Sequence, residues 1–284
     1  MATRAEATAR AVGPRIAAEG TVGPTPSRLL IPREHGAYGQ LLTPLATALL
    51  MGLPTRVSFG LAAVCVLAFM AHEPVVVLLG QRGPRARRDA GWRAARQLGW
   101  MAVAILAAGG VAIAYATPTV RQAFLLVATL GAMEGLLVAA RLERTVPGEM
   151  AAAVVLTSCA FPVALAGGSP PAAALTCWAA FAASQALATL AVRSVIARVR
   201  GTTERHLPPL AATSAIAVLV GAVALLTLGR VPWAGPVAVL PVATIALALA
   251  VRPPHPRHLR RVGWSILATS LLGALVLIVG LPRG

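Results

Sequence analysis

The chain has 284 residues, 57% hydrophobic and only 12% charged, with a mean hydropathy of +0.77 and a formal net charge of +16. A soluble globule needs polar residues for its surface, and this chain has too few. That excludes a soluble enzyme, a disordered chain and a disulfide-stapled secreted domain, and leaves an all-α polytopic membrane protein.

Residues 1–30 are rich in Ala, Arg, Thr, Gly and Pro, without an apolar stretch. They read as a disordered basic cytoplasmic tail and not as a cleavable signal peptide. Residues 31–284 read as a single transmembrane domain. From Ala37 onward come nine apolar runs, most near the roughly 20 residues that cross a bilayer. They cover 37–53, 59–79, 98–116, 122–140, 150–166, 172–192, 210–228, 237–251 and 262–281. The breaks are turn-rich: Gly52-Leu53-Pro54, Thr117-Pro118, Gly167 to Pro171, Pro208-Pro209, Gly229 to Pro232 and Pro253-Pro254. The eighth run is short and holds Pro241. None of the runs alternates polar with apolar residues, so helices and not barrel strands are expected.

Every basic residue other than His is an Arg, and the arginines set the orientation. Alternate segments (the N-terminal stretch through Arg33, 80–97, 141–149, 193–209 and 252–261) hold 21 of them, and the opposite side holds Arg56, Arg121, Arg230 and Arg283. A bundle of about nine helices follows, with its N-terminus inside and its C-terminus outside. The expected partner of this charge is the anionic inner leaflet of membrane lipids; nucleic acid is not expected, because no separate soluble domain exists to read it. The sequence leaves the oligomeric state open. In loop 80–97, Arg, Trp92 and Leu98 fall at helical spacing and predict a short surface helix. Cys65, Cys159 and Cys177 lie inside apolar runs and read as small core residues.

Ionisable residues inside spans are costly, so each is a candidate for function. Glu73 lies six residues from the inner end of the second run, roughly 9 Å deep, beside His72 and before Pro74, which frees a backbone carbonyl and predicts a broken helix. The structural alternative is a buried Glu73 protonated or paired with an Arg. Glu134 lies at similar depth in the fourth run; its alternative is a single contact holding two helices. Arg33, Glu34 and His35 open the first run within IPREHGAYGQLLTP. An acid there complements the helix dipole, which suffices for Glu34. Arg193 closes the sixth run. A weak repeat is visible: His72-Glu73 and then Arg82, Ser184-Gln185 and then Arg193. Arg82 and Arg193 suit a phosphate or lipid headgroup, which Arg binds bidentately. Gln40, Thr43, Ser158, Ser184 and Gln185 read chiefly as interhelical hydrogen-bonding groups. The candidate polar site is therefore His35, His72, Glu73, Glu134, Gln185 and Arg193, converging near the inner face. No metal-ligand spacing and no nucleotide or hydrolase motif occurs.

At IPREHGAYGQLLTP, HEPVVVLLGQRG and LAVRSVIARVR, the chain resembles the YwiC-like family of bacterial membrane proteins. Pro32, Glu34, His35, Gly36, Tyr38 and Pro44 carry the resemblance. It implies a multi-pass protein of the bacterial cytoplasmic membrane and no particular activity. The layout is also similar to UbiA-type intramembrane prenyltransferases, whose active-site loops follow helices 2 and 6. Those enzymes hold Mg²⁺ with two Asp-rich motifs. Here His72 to Val76 replaces the first motif, and Ser184-Gln185 the second. No cofactor is therefore expected, and Mg²⁺ enters only if a prenyltransferase-like site survives. Three functions follow: a lipid- or isoprenoid-handling protein with a polar cavity open to the cytoplasm, a small-solute transporter, or a non-enzymatic membrane assembly partner. Enzyme and non-enzyme readings both stand.

Overall fold

The structure is a computed structural model that describes residues 29–32, 35–200, 204–252, 254–255 and 258–282, with the backbone alone at His35, Val199 and Arg200. The disordered reading of the tail covers residues 1–30, of which 1–28 lie outside the described part. Arg33 and Glu34 also lie outside it.

The described residues form ten helices: α1 (His35–Met51), α2 (Arg56–Leu78), α3 (Pro84–Tyr115), α4 (Pro118–Ala139), α5 (Val146–Ser158), α6 (Ala160–Ala166), α7 (Pro171–Arg200), α8 (Leu207–Leu228), α9 (Ala234–Val251) and α10 (Leu259–Gly280). Helices α5 and α6 are halves of one span, Val146–Ala166. Each of the nine apolar runs thus has its helix. Eight spans are long and apolar enough to cross a membrane, and the ninth helix, α1, has 17 residues and packs among them. The chain is a multi-pass helical membrane protein.

Three departures from the sequence reading have physical causes. No separate surface helix forms in 80–97, because α3 starts at Pro84 and runs unbroken for 32 residues. At 1.5 Å per residue that is about 48 Å, against roughly 30 Å of hydrocarbon. The Arg- and Ala-rich stretch before Leu98 favours helix as strongly as the span does. Pro74 does not break α2, which continues to Leu78. The interruption falls instead at Cys159, in a run read as continuous. Pro162 has no N–H to offer the Ser158 carbonyl four residues back, and the ladder fails there.

At the centre lie α1 and α6, with α1 packing on α2, α5, α6, α7 and α10, and α6 on α1, α2, α4 and α7. The core is built largely from alanine, with Leu41, Met51, Leu61, Val163 and Cys177 fully enclosed. Without a hydrophobic drive between helices in lipid, small residues gain contact by letting backbones approach. Helices α3, α4 and α8 are peripheral, and most of each span faces outward. Before α1, the Gln97 side chain of α3 pairs with the Leu30 backbone, accepting its N–H at 2.9 Å and donating to its carbonyl at 2.8 Å. Tyr38 donates to the Pro32 carbonyl at 3.0 Å and stacks edge-on against Phe69. Those contacts tie Leu30 to α3 and the start of α1 to α2.

Candidate functional site

By chain order, all nine Asp and Glu residues and all five His fall on the Arg-rich side of the alternation. The site is assembled there from two chain reversals. After α2, Gly80 takes a left-handed φ of 72°, its N–H bonding the Val77 carbonyl while the Gln81 N–H reaches Val76. After α4, Arg141 occupies the equivalent position with φ 61°; its N–H bonds Val138 and the Leu142 N–H bonds Leu137. Both are Schellman ends. Glycine suits the first without cost, whereas a side chain in that conformation costs about 1 kcal/mol. The reversals touch, since the Gln81 amide donates to the Val138 carbonyl at 2.6 Å.

Glu73 lies at 3% exposure on α2. Arg82, just beyond the Gly80 reversal, meets it with two parallel bonds, Nε to Oε1 at 3.0 Å and Nη2 to Oε2 at 2.6 Å. The alternative of a buried Glu73 paired with an Arg is the arrangement found. His72 faces the other way, its Nε2 lying 3.0 Å from Oε2 of Glu143 in the α4–α5 loop. Glu134 lies within electrostatic range of His72 and Glu143. Its Oε2 is buried with no hydrogen-bond partner among the described residues.

Arg193 is on α7, and Glu149 in the first turn of α5 meets its guanidinium fork at 2.5 Å from both Nε and Nη2. Thr145 caps that turn, its hydroxyl accepting the Gly148 N–H at 3.2 Å. Nη2 of Arg193 also donates to the Arg144 carbonyl. The loop between α4 and α5, with the first turn of α5, therefore reaches α2 through Glu143 and α7 through Arg144 and Glu149. It closes a polar clasp over the Arg-rich end of the bundle.

The structure brings Glu73 together with Arg82, and sets Glu134 near His72. It keeps Arg193 in a separate pair, and the described contacts put Glu73 and Arg193 in no direct contact. The His35 side chain lies outside the described part. Gln185 is buried and donates to the Ser270 hydroxyl of α10 at 3.3 Å, and Gln40 donates to Thr189 of α7 at 3.2 Å, so both are interhelical hydrogen-bonding groups as read. A cavity of only about 10 Å³ sits beside the Gln185–Ser270 bond, lined by Ala180, Phe181, Ser184, Ala238, Ser270 and Leu277. That is room for about one water molecule, far below the roughly 300 Å³ or more of a ligand site. Among the described residues no three His, Cys, Asp or Glu side chains are grouped to hold a metal ion.

Sequence reasoning missed Glu143 and Glu149. Their signal was rarity: each is an acid in an Arg-bearing loop of a chain with nine acids in all.

Residues 31–165 match the model of the family described as YwiC-like protein. The matched segment begins one residue after Leu30, which Gln97 tethers, extends to α6, and holds every clasp residue except Arg193. No curated protein and no solved structure matches the chain.

Proposed function

We propose that the chain is a lipid-handling protein of the bacterial cytoplasmic membrane, working at the anionic leaflet through its Arg-rich end. The observation that supports this is how charge is divided there. Glu73, Glu143 and Glu149 turn inward to Arg82, His72 and Arg193. Arg87, Arg88, Arg96, Arg141, Arg260 and Arg261 are exposed on the outside of the same end. Trp92, Trp100 and Trp264 are exposed near them, at 78%, 72% and 60%. Indole rings favour the headgroup level, and each Arg close to an anionic surface contributes about 1 kcal/mol. The headgroup contact thus belongs on the outer surface of this end, with Arg82 and Arg193 holding carboxylates beneath it.

Native mass spectrometry of the protein in nanodiscs of mixed phosphatidylglycerol and phosphatidylethanolamine tests this. Preferential retention of phosphatidylglycerol is expected. Retention in the ratio of the bulk lipid overturns the reading.

A second reading, passage of a small solute, has one observation in its favour. The α5–α6 span is interrupted inside the membrane, a device transporters use near their substrate sites. Solute uptake into proteoliposomes, lost when Pro162→Ala mends the helix, would support it; flux equal to that of protein-free vesicles would remove it.

A further inference from the structure

We propose that the inner third of α3 is a docking surface for anionic phospholipid headgroups, with Arg85, Arg88 and Arg96 around Trp92. This rests on the lipid-handling reading and names the place where it acts.

The argument begins with helical phase. At 100° per residue, positions 85, 88, 92, 96, 103 and 106 of an unbroken helix fall within about 80° of one another. All six residues are exposed: Arg85, Arg88, Trp92, Arg96, Val103 and Leu106. Val103 and Leu106, at 58% and 74% exposure, lie within the span, on a helix whose apolar window is only 11% buried. An apolar stripe on a span that no neighbouring helix covers faces lipid tails. Followed toward the Arg-rich end, that stripe becomes Arg96, Trp92, Arg88 and Arg85. Trp92 stands 11 residues from Val103, about 16 Å along the axis, the distance from acyl chain to headgroup. The arginines are therefore on the lipid-facing side at headgroup depth.

Their charge fits that location. Asp89 is the acid on this face, and it reaches Arg85 only at 3.8 Å with both side chains largely exposed, so three cations stand against one anion. Glu73 is held by Arg82 of the α2–α3 loop, and Glu143 by His72 of α2. An anionic headgroup supplies the missing charge. Guanidinium forks take phosphate oxygens bidentately, while the indole stays at the interface.

The test uses the full chain in nanodiscs doped with phosphatidylglycerol or phosphatidylcholine, each spin-labelled at the headgroup. The contribution of Trp92 is the wild-type fluorescence minus that of Trp92→Phe. Its quenching should favour phosphatidylglycerol by about fivefold, the factor one Arg at an anionic surface provides. High salt and the triple change Arg85→Gln, Arg88→Gln, Arg96→Gln should each remove that preference. Equal quenching by both lipids, or none by either, overturns the proposal. Native mass spectrometry of the same samples separates the two failures. If wild type retains phosphatidylglycerol while Trp92 shows no preference, the α3 surface is wrong and lipid handling stands; if wild type retains none selectively, both fall.

Discussion

The two ends of the bundle are closed by different physics. At the Arg-poor end the closure is made onto backbone carbonyls at closely approaching small residues. The Leu53 N–H donates to the Gly167 carbonyl at 2.9 Å, and the Thr55 hydroxyl, which caps α2, donates to the Ala166 carbonyl at 3.0 Å. A Cβ on Gly52 would stand 2.5 Å from the Gly167 oxygen, and one on Gly273 would stand 2.6 Å from the Ala238 oxygen. Even the cation Arg121 spends itself on the last carbonyls of α3, Ile113 and Ala114, where a helix end is negative. At the Arg-rich end the closure is side chain to side chain, through Glu73–Arg82, His72–Glu143 and Arg193–Glu149. Absence of side chains lets one end close; the other closes by matching scarce acids to arginines. Backbone contacts of the first kind tolerate no added volume. Ion pairs of the second kind tolerate no loss of one partner.

The largest expected effect follows from that contrast. Removing Arg82 leaves the Glu73 carboxylate, only 4% exposed, without its bidentate partner. Arg82→Met should cost about 3–5 kcal/mol, read as a large fall in thermal unfolding temperature in nanodiscs. A change no larger than that of an exposed control such as Arg96→Met would erase the distinction between buried and outward arginines.

Next comes the opposite end. Gly52→Val must push α1 away from the α6–α7 turn and should cost about 1–3 kcal/mol by overpacking. Its cost should not respond to salt, whereas that of Arg193→Met, whose partner Glu149 is 35% exposed, should shrink as salt rises. Identical salt responses at the two ends would contradict the division.

The sequence makes the spans legible because apolar runs of bilayer length have one common solution. It makes Glu73 legible as an exceptional residue, since any acid inside a span is exceptional. It names His72 and Arg193 without their partners, because Glu143 and Glu149 reach them only after the chain folds back through the Arg141 reversal. The length of α3 is hidden for another reason: hydropathy reports the part in lipid, while helix formation continues through any stretch rich in Ala and Arg. The glycine contacts are invisible in the chain, since Gly52 and Gly167 are 115 positions apart.

The smallest effect belongs to the buried amide. Gln185→Leu removes one bond to Ser270 at 3.3 Å and should cost about 0.6 kcal/mol, the usual value for such bonds in membranes. A loss of phosphatidylglycerol retention in Gln185→Leu, with stability intact, would instead move the lipid site from the Arg-rich surface into the pocket beside α10.

The central claim is that the Arg-rich end is held by matched pairs lying beneath an outward cationic surface. A double-mutant cycle on the deepest pair tests it most directly. Glu73→Met, Arg82→Met and the double variant are compared by thermal unfolding and by phosphatidylglycerol retention in the same nanodiscs. Arg82→Met should destabilise strongly and the double variant should recover most of that loss, because two apolar side chains replace a buried pair at little net cost; lipid retention should stay at the wild-type level in all three. A double variant as unstable as the two single losses added together, or one that folds but no longer retains phosphatidylglycerol, contradicts the account and returns Glu73 and Arg82 to the functional site.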